Sequence, residues 1–150
     1  MVRETDIAIV EAVLGSDLYR QCVRLREAVL RRPLGLTITR EELADDTTRQ
    51  HFSALSYGAV VGSVSLKALD ETILQLKQMA VAEDRRGEGV GAHLLAHAEV
   101  WGSRGGFFLM VLNARMGVEG FYAHYGYQAL GEPFQENTVP HIRMTKQLRP

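Results

Sequence analysis

Apolar residues along this chain recur with two spacings, and each change of spacing predicts a change of element. Ile7–Leu14 is a β-branched run bounded by Asp6 and Gly15, which predicts a strand. Ser16 or Asp17 then caps a helix from Leu18 to about Arg31, with Cys22, Val23, Leu25, Val29 and Leu30 as its apolar positions. Pro33 and Gly35 end it. Thr39, with Glu42 three residues on, has the form of a capping box for a short second helix. Phe52–Tyr57 and Ala59–Leu66 read as strands joined at Gly58, and Asp70-Glu71 turns the chain into a third strand, Ile73–Val81.

The character changes at Ala82. A charged, glycine-rich loop, Glu83-Asp84-Arg85-Arg86-Gly87-Glu88-Gly89-Val90-Gly91, follows the third strand. Behind it Leu94, Leu95, Ala98 and Trp101 take helical spacing until Gly102 and Gly105. Phe107–Leu112 is a continuous apolar strand of the kind buried on both faces. Met116–Tyr125 forms a short helix stopped by Gly126, and Tyr127–Leu130 and His141–Leu148 complete the strands. With no internal repeat or linker, residues 1–150 are expected to form one mixed α/β domain.

Composition narrows the function classes. Hydrophobic residues make up 46% of the 150 and charged residues 23%, which excludes a disordered or fibrous chain. Seventeen basic side chains against 18 acidic ones, with no basic run, argue against a nucleic-acid partner. The single cysteine, Cys22, excludes an intramolecular disulfide and fits a reducing compartment. The charged start lacks a signal peptide's apolar centre, and no stretch approaches the ~20 apolar residues that cross a bilayer. The expectation is a cytoplasmic protein with no membrane partner.

The glycine loop carries the strongest chemistry. Gly87, Gly89 and Gly91 lack Cβ atoms, so backbone there can approach a ligand closely. The unpaired N–H groups of the following helix and its dipole favour an anion, and Arg85 or Arg86 can add a charge-assisted contact. A phosphate or pyrophosphate is the expected ligand. An ATPase P-loop is excluded, because no Lys-Ser or Lys-Thr follows the glycines. Gly87 to Ala92 does satisfy the dinucleotide pattern G-x-G-x-x-[GA], but it follows a meander and lacks an acidic ribose partner ~20 residues on.

Arg86-Gly87-Glu88-Gly89-Val90-Gly91 resembles the [RQ]-x-x-G-x-[GA] motif of the GNAT N-acetyltransferase family. Met79-Ala80-Val81 is similar to the strand segment before that motif, and Phe121-Tyr122-Ala123-His124-Tyr125-Gly126-Tyr127 to the family's F-Y-x-x-x-G-[FY] signature. The Arg26–Leu36 stretch and Val139-Pro140-His141-Ile142-Arg143-Met144 are similar to the ElaA-like branch.

The resemblance implies a three-layer fold: a central, mostly antiparallel twisted sheet flanked by helices and splayed between strands 73–81 and 107–112. It implies acetyl-CoA as cosubstrate, no metal, and a small-molecule or protein amine as acceptor; the sequence does not set the oligomeric state, for which a homodimer is the general prior. Arg86, Gly87, Glu88, Gly89, Val90 and Gly91 would bind the pyrophosphate. Backbone groups of Met79, Ala80 and Val81 would meet the pantetheine arm, Asn113 would touch the cofactor, and Tyr122 would protonate the departing thiolate. Gln75 stands where many relatives carry a Glu or His base. Gln78, Glu136 and His141 are the substrate-side candidates, an imidazole being a side chain suited to accepting a proton near neutral pH. His93 and His97, one turn apart, are expected to pack rather than to hold a metal. The departure at Gln75 leaves open a non-catalytic acyl-CoA binding module.

Overall fold

The fold is described over residues 6–149 of a computed structural model. Seven strands form one sheet in the order β1-β2-β3-β4-β5-β7-β6, with helices flanking it. The strands are β1 (Ile7–Glu11), β2 (Gln50–Ser56), β3 (Ala59–Ala68), β4 (Ile73–Val81), β5 (Leu109–Arg115), β6 (Gln128–Glu136) and β7 (Val139–Gln147). The helices are α1 (Asp17–Arg26), α2 (Arg40–Asp45), α3 (Val90–Arg104) and α4 (Glu119–His124). Two compact units divide the chain, one from the N-terminal residues to Lys67 plus Gln78–Ala98, the other Ala68–Lys77 plus the residues from Glu99 on.

In the first unit, Ser16 caps α1: its hydroxyl accepts from Tyr19 N at 3.1 Å. The buried side of α1 is Tyr19, Cys22 and Arg26; of the expected apolar positions within it Cys22 is buried, whereas Val23 and Leu25 are not. Arg26 is tolerated there because Asp46 neutralises it. The helix loosens after Arg26 into a π-helical turn, Glu27–Arg31, and stops at Gly35, whose φ of 73° an L side chain resists. Thr39 Oγ1 accepts from Glu42 N at 3.1 Å, which is half of a capping box. The other half is absent, because the Glu42 carboxylate turns to Arg31 at 2.7 Å. Tyr57 (φ 50°) and Gly58 (φ 81°) turn β2 into β3 with Ser56 opposite Ala59. Phe52, Val61, Val64, Ala80, Leu94 and Leu95 are buried in this unit.

In the second unit, β4 pairs with β5 in parallel over three rows, Ile73↔Leu109 to Gln75↔Val111. Parallel neighbours require a crossover, here containing α3. The β5 strand begins at Leu109 rather than Phe107 and runs to Arg115, so Asn113 lies inside it. Phe108 is exposed, and the Gly105-Gly106 exit from α3 occupies the preceding residues. β7 pairs antiparallel with β5 along its whole length, and β6 with β7. The segment 131–140, read as loop from sequence, is the tip of this hairpin, turning at Asn137 (φ 50°) and Thr138 (φ 68°). Leu74, Met110, Leu112, Met144 and Leu148 are buried here.

Candidate active site

The glycine loop follows β4 through one 3-10 turn, Glu83–Arg85. Gly87 and Gly89 hold φ of 81° and 87°, and a side chain at Gly87 would meet nothing within 4 Å. That left-handed backbone needs glycine, and it leaves the chain surface bare for an anion. Gly89 O accepts from His93 N at 3.0 Å, so Gly89 is the residue from which α3 starts. Gly91 lies within the first turn of α3. Arg85 is engaged by Glu88 at 3.3 Å and lies 3.4 Å from Ser56 Oγ. Arg86 is exposed and has no ion pair among the described residues, so of the two arginines it is the one available to a ligand.

Just before the loop, Gln78 takes φ 59°. Other non-glycine residues with such backbone sit in hairpin turns, whereas Gln78 sits within a strand, where the strain interrupts the regular pleat ahead of Met79-Ala80-Val81. Its amide oxygen accepts from Ser65 Oγ at 2.8 Å. Ala80 is buried, with Met79 and Val81 half-buried.

The second unit brings three of the sequence-derived candidates together. Asn113 Nδ2 donates to Glu136 Oε1 at 3.2 Å, and Glu136 Oε2 lies 3.6 Å from His141 Nε2. His141 donates through Nδ1 to Val139 O at 2.9 Å, which leaves Nε2 as the accepting nitrogen of the neutral ring. Arg143, opposite Asn113 in register, reaches its Oδ1 at 3.5 Å. Beside them, Leu130, Glu132, Phe134 and Arg143 line an open groove of about 370 Å³.

Tyr122 is buried on α4, its ring edge-on to Phe121 and Tyr127. Burial pushes its phenol well above the usual range, and its hydroxyl has no hydrogen bond among the described residues. Behind it Tyr127 OH donates to Glu99, which also accepts from Lys146. No motif marked Glu99 or Lys146, whereas Tyr127 closes the F-Y-x-x-x-G-[FY] signature.

His93 Nδ1 donates to Gly89 O at 2.8 Å, while the His97 ring packs edge-on against Phe52 at 4.6 Å. The two rings are thus engaged separately. No helix among the described residues is long and apolar enough to cross a membrane.

The profile of the acetyltransferase (GNAT) domain family matches residues 34–148. The chain belongs to the GNAT acetyltransferase family. This acetyltransferase is 32% identical to the uncharacterized N-acetyltransferase YitI of Bacillus subtilis over 106 residues, 66% of this chain and 71% of that one. Its fold is similar to that of Escherichia coli ElaA (TM-score 0.80, 20% identity, 93% of this chain and 98% of that one). It is also similar to a GNAT family acetyltransferase from Elizabethkingia anophelis solved with acetyl-CoA bound (TM-score 0.76, 20% identity, 97% and 100%).

Proposed function

We propose that this acetyltransferase moves an acetyl group from acetyl-CoA to a primary amine, by direct attack in a ternary complex, and that residues 1–150 act as one N-acetyltransferase domain. The observation that carries the reading is the left-handed backbone at Gly87 and Gly89, before α3, with Arg86 unpaired beside it. Such backbone N–H groups and a lone guanidinium suit a pyrophosphate.

In this reading Arg86 to Gly91 hold the pyrophosphate. Backbone groups of Met79, Ala80 and Val81 bond the pantetheine arm as an added strand would, and one N–H polarises the acetyl carbonyl. Asn113 adds a cofactor contact. The short β4–β5 ladder supports the strand-like role, because its pairing ends at Gln75, before Met79. Bound acetyl-CoA supplies an activated thioester carbonyl. Holding both reactants in place contributes ~7–11 kcal/mol toward the barrier.

Tyr122 donates the proton that the departing thiolate takes. Its raised pKa keeps the proton on the phenol until then. On the acceptor side we assign Gln78, Glu136 and His141. Nε2 of His141 and Oε2 of Glu136 are both acceptors and face each other, which suits a shared ammonium that yields its proton to the imidazole. Asn113, Arg143 and Arg115, the register partner of His141, share this region of the second unit.

A panel of primary amines with acetyl-CoA, read by thiol release, tests the reading. Amine-dependent release that falls by about 10²–10⁴-fold in Tyr122→Phe supports it. Coenzyme A binding without turnover of any amine contradicts it.

A further inference from the structure

Three side chains outside the proposed substrate contacts converge behind Tyr122. The Tyr127 hydroxyl donates to Glu99 Oε2 at 2.8 Å, and Lys146 Nζ donates to Glu99 Oε1 at 2.8 Å. The Lys146 ammonium lies 5.6 Å from the centre of the Tyr127 ring. Its stem lies along Gly126, where an added Cβ would come within 3.4 Å of Cε. Tyr127 in turn holds Tyr122 twice. Its ring meets the Tyr122 ring edge-on at 5.8 Å, and its backbone N donates to Tyr122 O at 3.1 Å.

We propose that Tyr127, anchored by Glu99 and Lys146, is a positioning residue that sets the direction of the Tyr122 phenol. The proposal rests on the reading of Tyr122 as proton donor. The Tyr122 hydroxyl has no hydrogen-bond partner among the described residues, so its direction is fixed by ring packing alone. One wall of that packing is Phe121, at 5.0 Å. A second is Tyr127, whose far end is tied to a 15-residue helix through a carboxylate already aligned by Lys146. A charge-assisted bond of this kind is short and directional. Phenylalanine would fill the same space, so the hydroxyl adds an anchor rather than bulk. An error of about 1 Å in a reacting group costs up to ~10²-fold in rate.

The test uses hydroxylamine, which is mostly neutral at pH 7 and so attacks without first losing a proton; the proton its nitrogen sheds after attack is common to every variant compared. Thiol release from acetyl-CoA, corrected for the uncatalysed rate, is measured for the wild type, Tyr127→Phe, Tyr122→Phe and the double variant. Tyr127→Phe is expected to lower kcat by about tenfold, leaving KM for acetyl-CoA unchanged. In the Tyr122→Phe background the same change should cost nothing further, since its effect passes through that phenol. Should Tyr127→Phe fold poorly, Lys146→Met removes the anchor from its other end and should show the same dependence on Tyr122. Losses that multiply in the double variant, or an unchanged kcat in Tyr127→Phe, overturn the proposal. If Tyr122→Phe itself keeps full activity, the proton-donor reading fails and positioning falls with it. An impaired Tyr122→Phe beside an unimpaired Tyr127→Phe removes the positioning role alone.

Discussion

Arg26 Nη1 lies 2.7 Å from Asp46 Oδ2, and both side chains are almost wholly withdrawn from solvent. Tyr19 OH donates to the same oxygen at 2.6 Å, and His51 Nε2 donates to Asp46 O at 2.9 Å. A buried pair is costly to break from one side, because the remaining charge keeps its desolvation penalty. Asp46→Asn preserves the shape and removes the charge, and should lower stability by about 3–5 kcal/mol. Tyr19→Phe, which deletes one donor and leaves the pair intact, should cost about 1–3 kcal/mol. Urea unfolding of both variants checks the order, and equal losses would contradict it.

Cys22 lies one turn from Arg26 on the same buried face, and burial pushes its thiol up to about 11. The unfolded thiol titrates near ~8.5, so between those values the unfolded chain has lost a proton that the native one keeps. Stability then falls as pH rises, by about 1.4 kcal/mol per pH unit for this one group. Its contribution is fully present below the unfolded pKa and gone above the folded one. Subtracting the pH profile of Cys22→Ala from that of the wild type isolates it. A flat difference between about pH 8.5 and 11 would be the contrary result.

Gly62 is a close-packing position on β3. A Cβ there would come 2.7 Å from Val90 Cγ1, 2.9 Å from Leu94 Cδ1 and 3.3 Å from Ala80 O. Val90 opens α3 immediately after the glycine loop, and Leu94 is fully buried. Gly62→Ala should therefore destabilise by about 1–3 kcal/mol through overpacking. Because the displaced side chains carry the start of α3, coenzyme A affinity should weaken as well. Calorimetric titration beside thermal melting separates the two effects.

Local chemistry was legible and long-range pairing was not. Ile73–Val81 was readable to the residue, since the Asp70 turn closes one end and the loop after Ala82 the other. The caps at Ser16 and Thr39 act within four residues and were equally plain. The Glu42 carboxylate instead found Arg31, eleven positions back, and no local rule predicts that choice. The β6–β7 hairpin was missed because its tip, Asn137-Thr138, lacks glycine and its flanks carry Pro133 and Pro140, both loop signals. Register sets Glu136 at the end of β6, opposite Val139. Glu99 and Lys146 lie 47 residues apart and share no pattern, so only the folded chain brings them together.

In the proposed function, backbone amides at the Arg86 turn hold a pyrophosphate. Titrating coenzyme A into ¹⁵N-labelled protein while following each amide resonance addresses that contact without needing an acceptor. Saturable shifts concentrated at Gly87, Gly89 and Gly91, not reproduced by pantetheine, which lacks the pyrophosphate, are the predicted result. Saturation by coenzyme A with those three amides unmoved would contradict it.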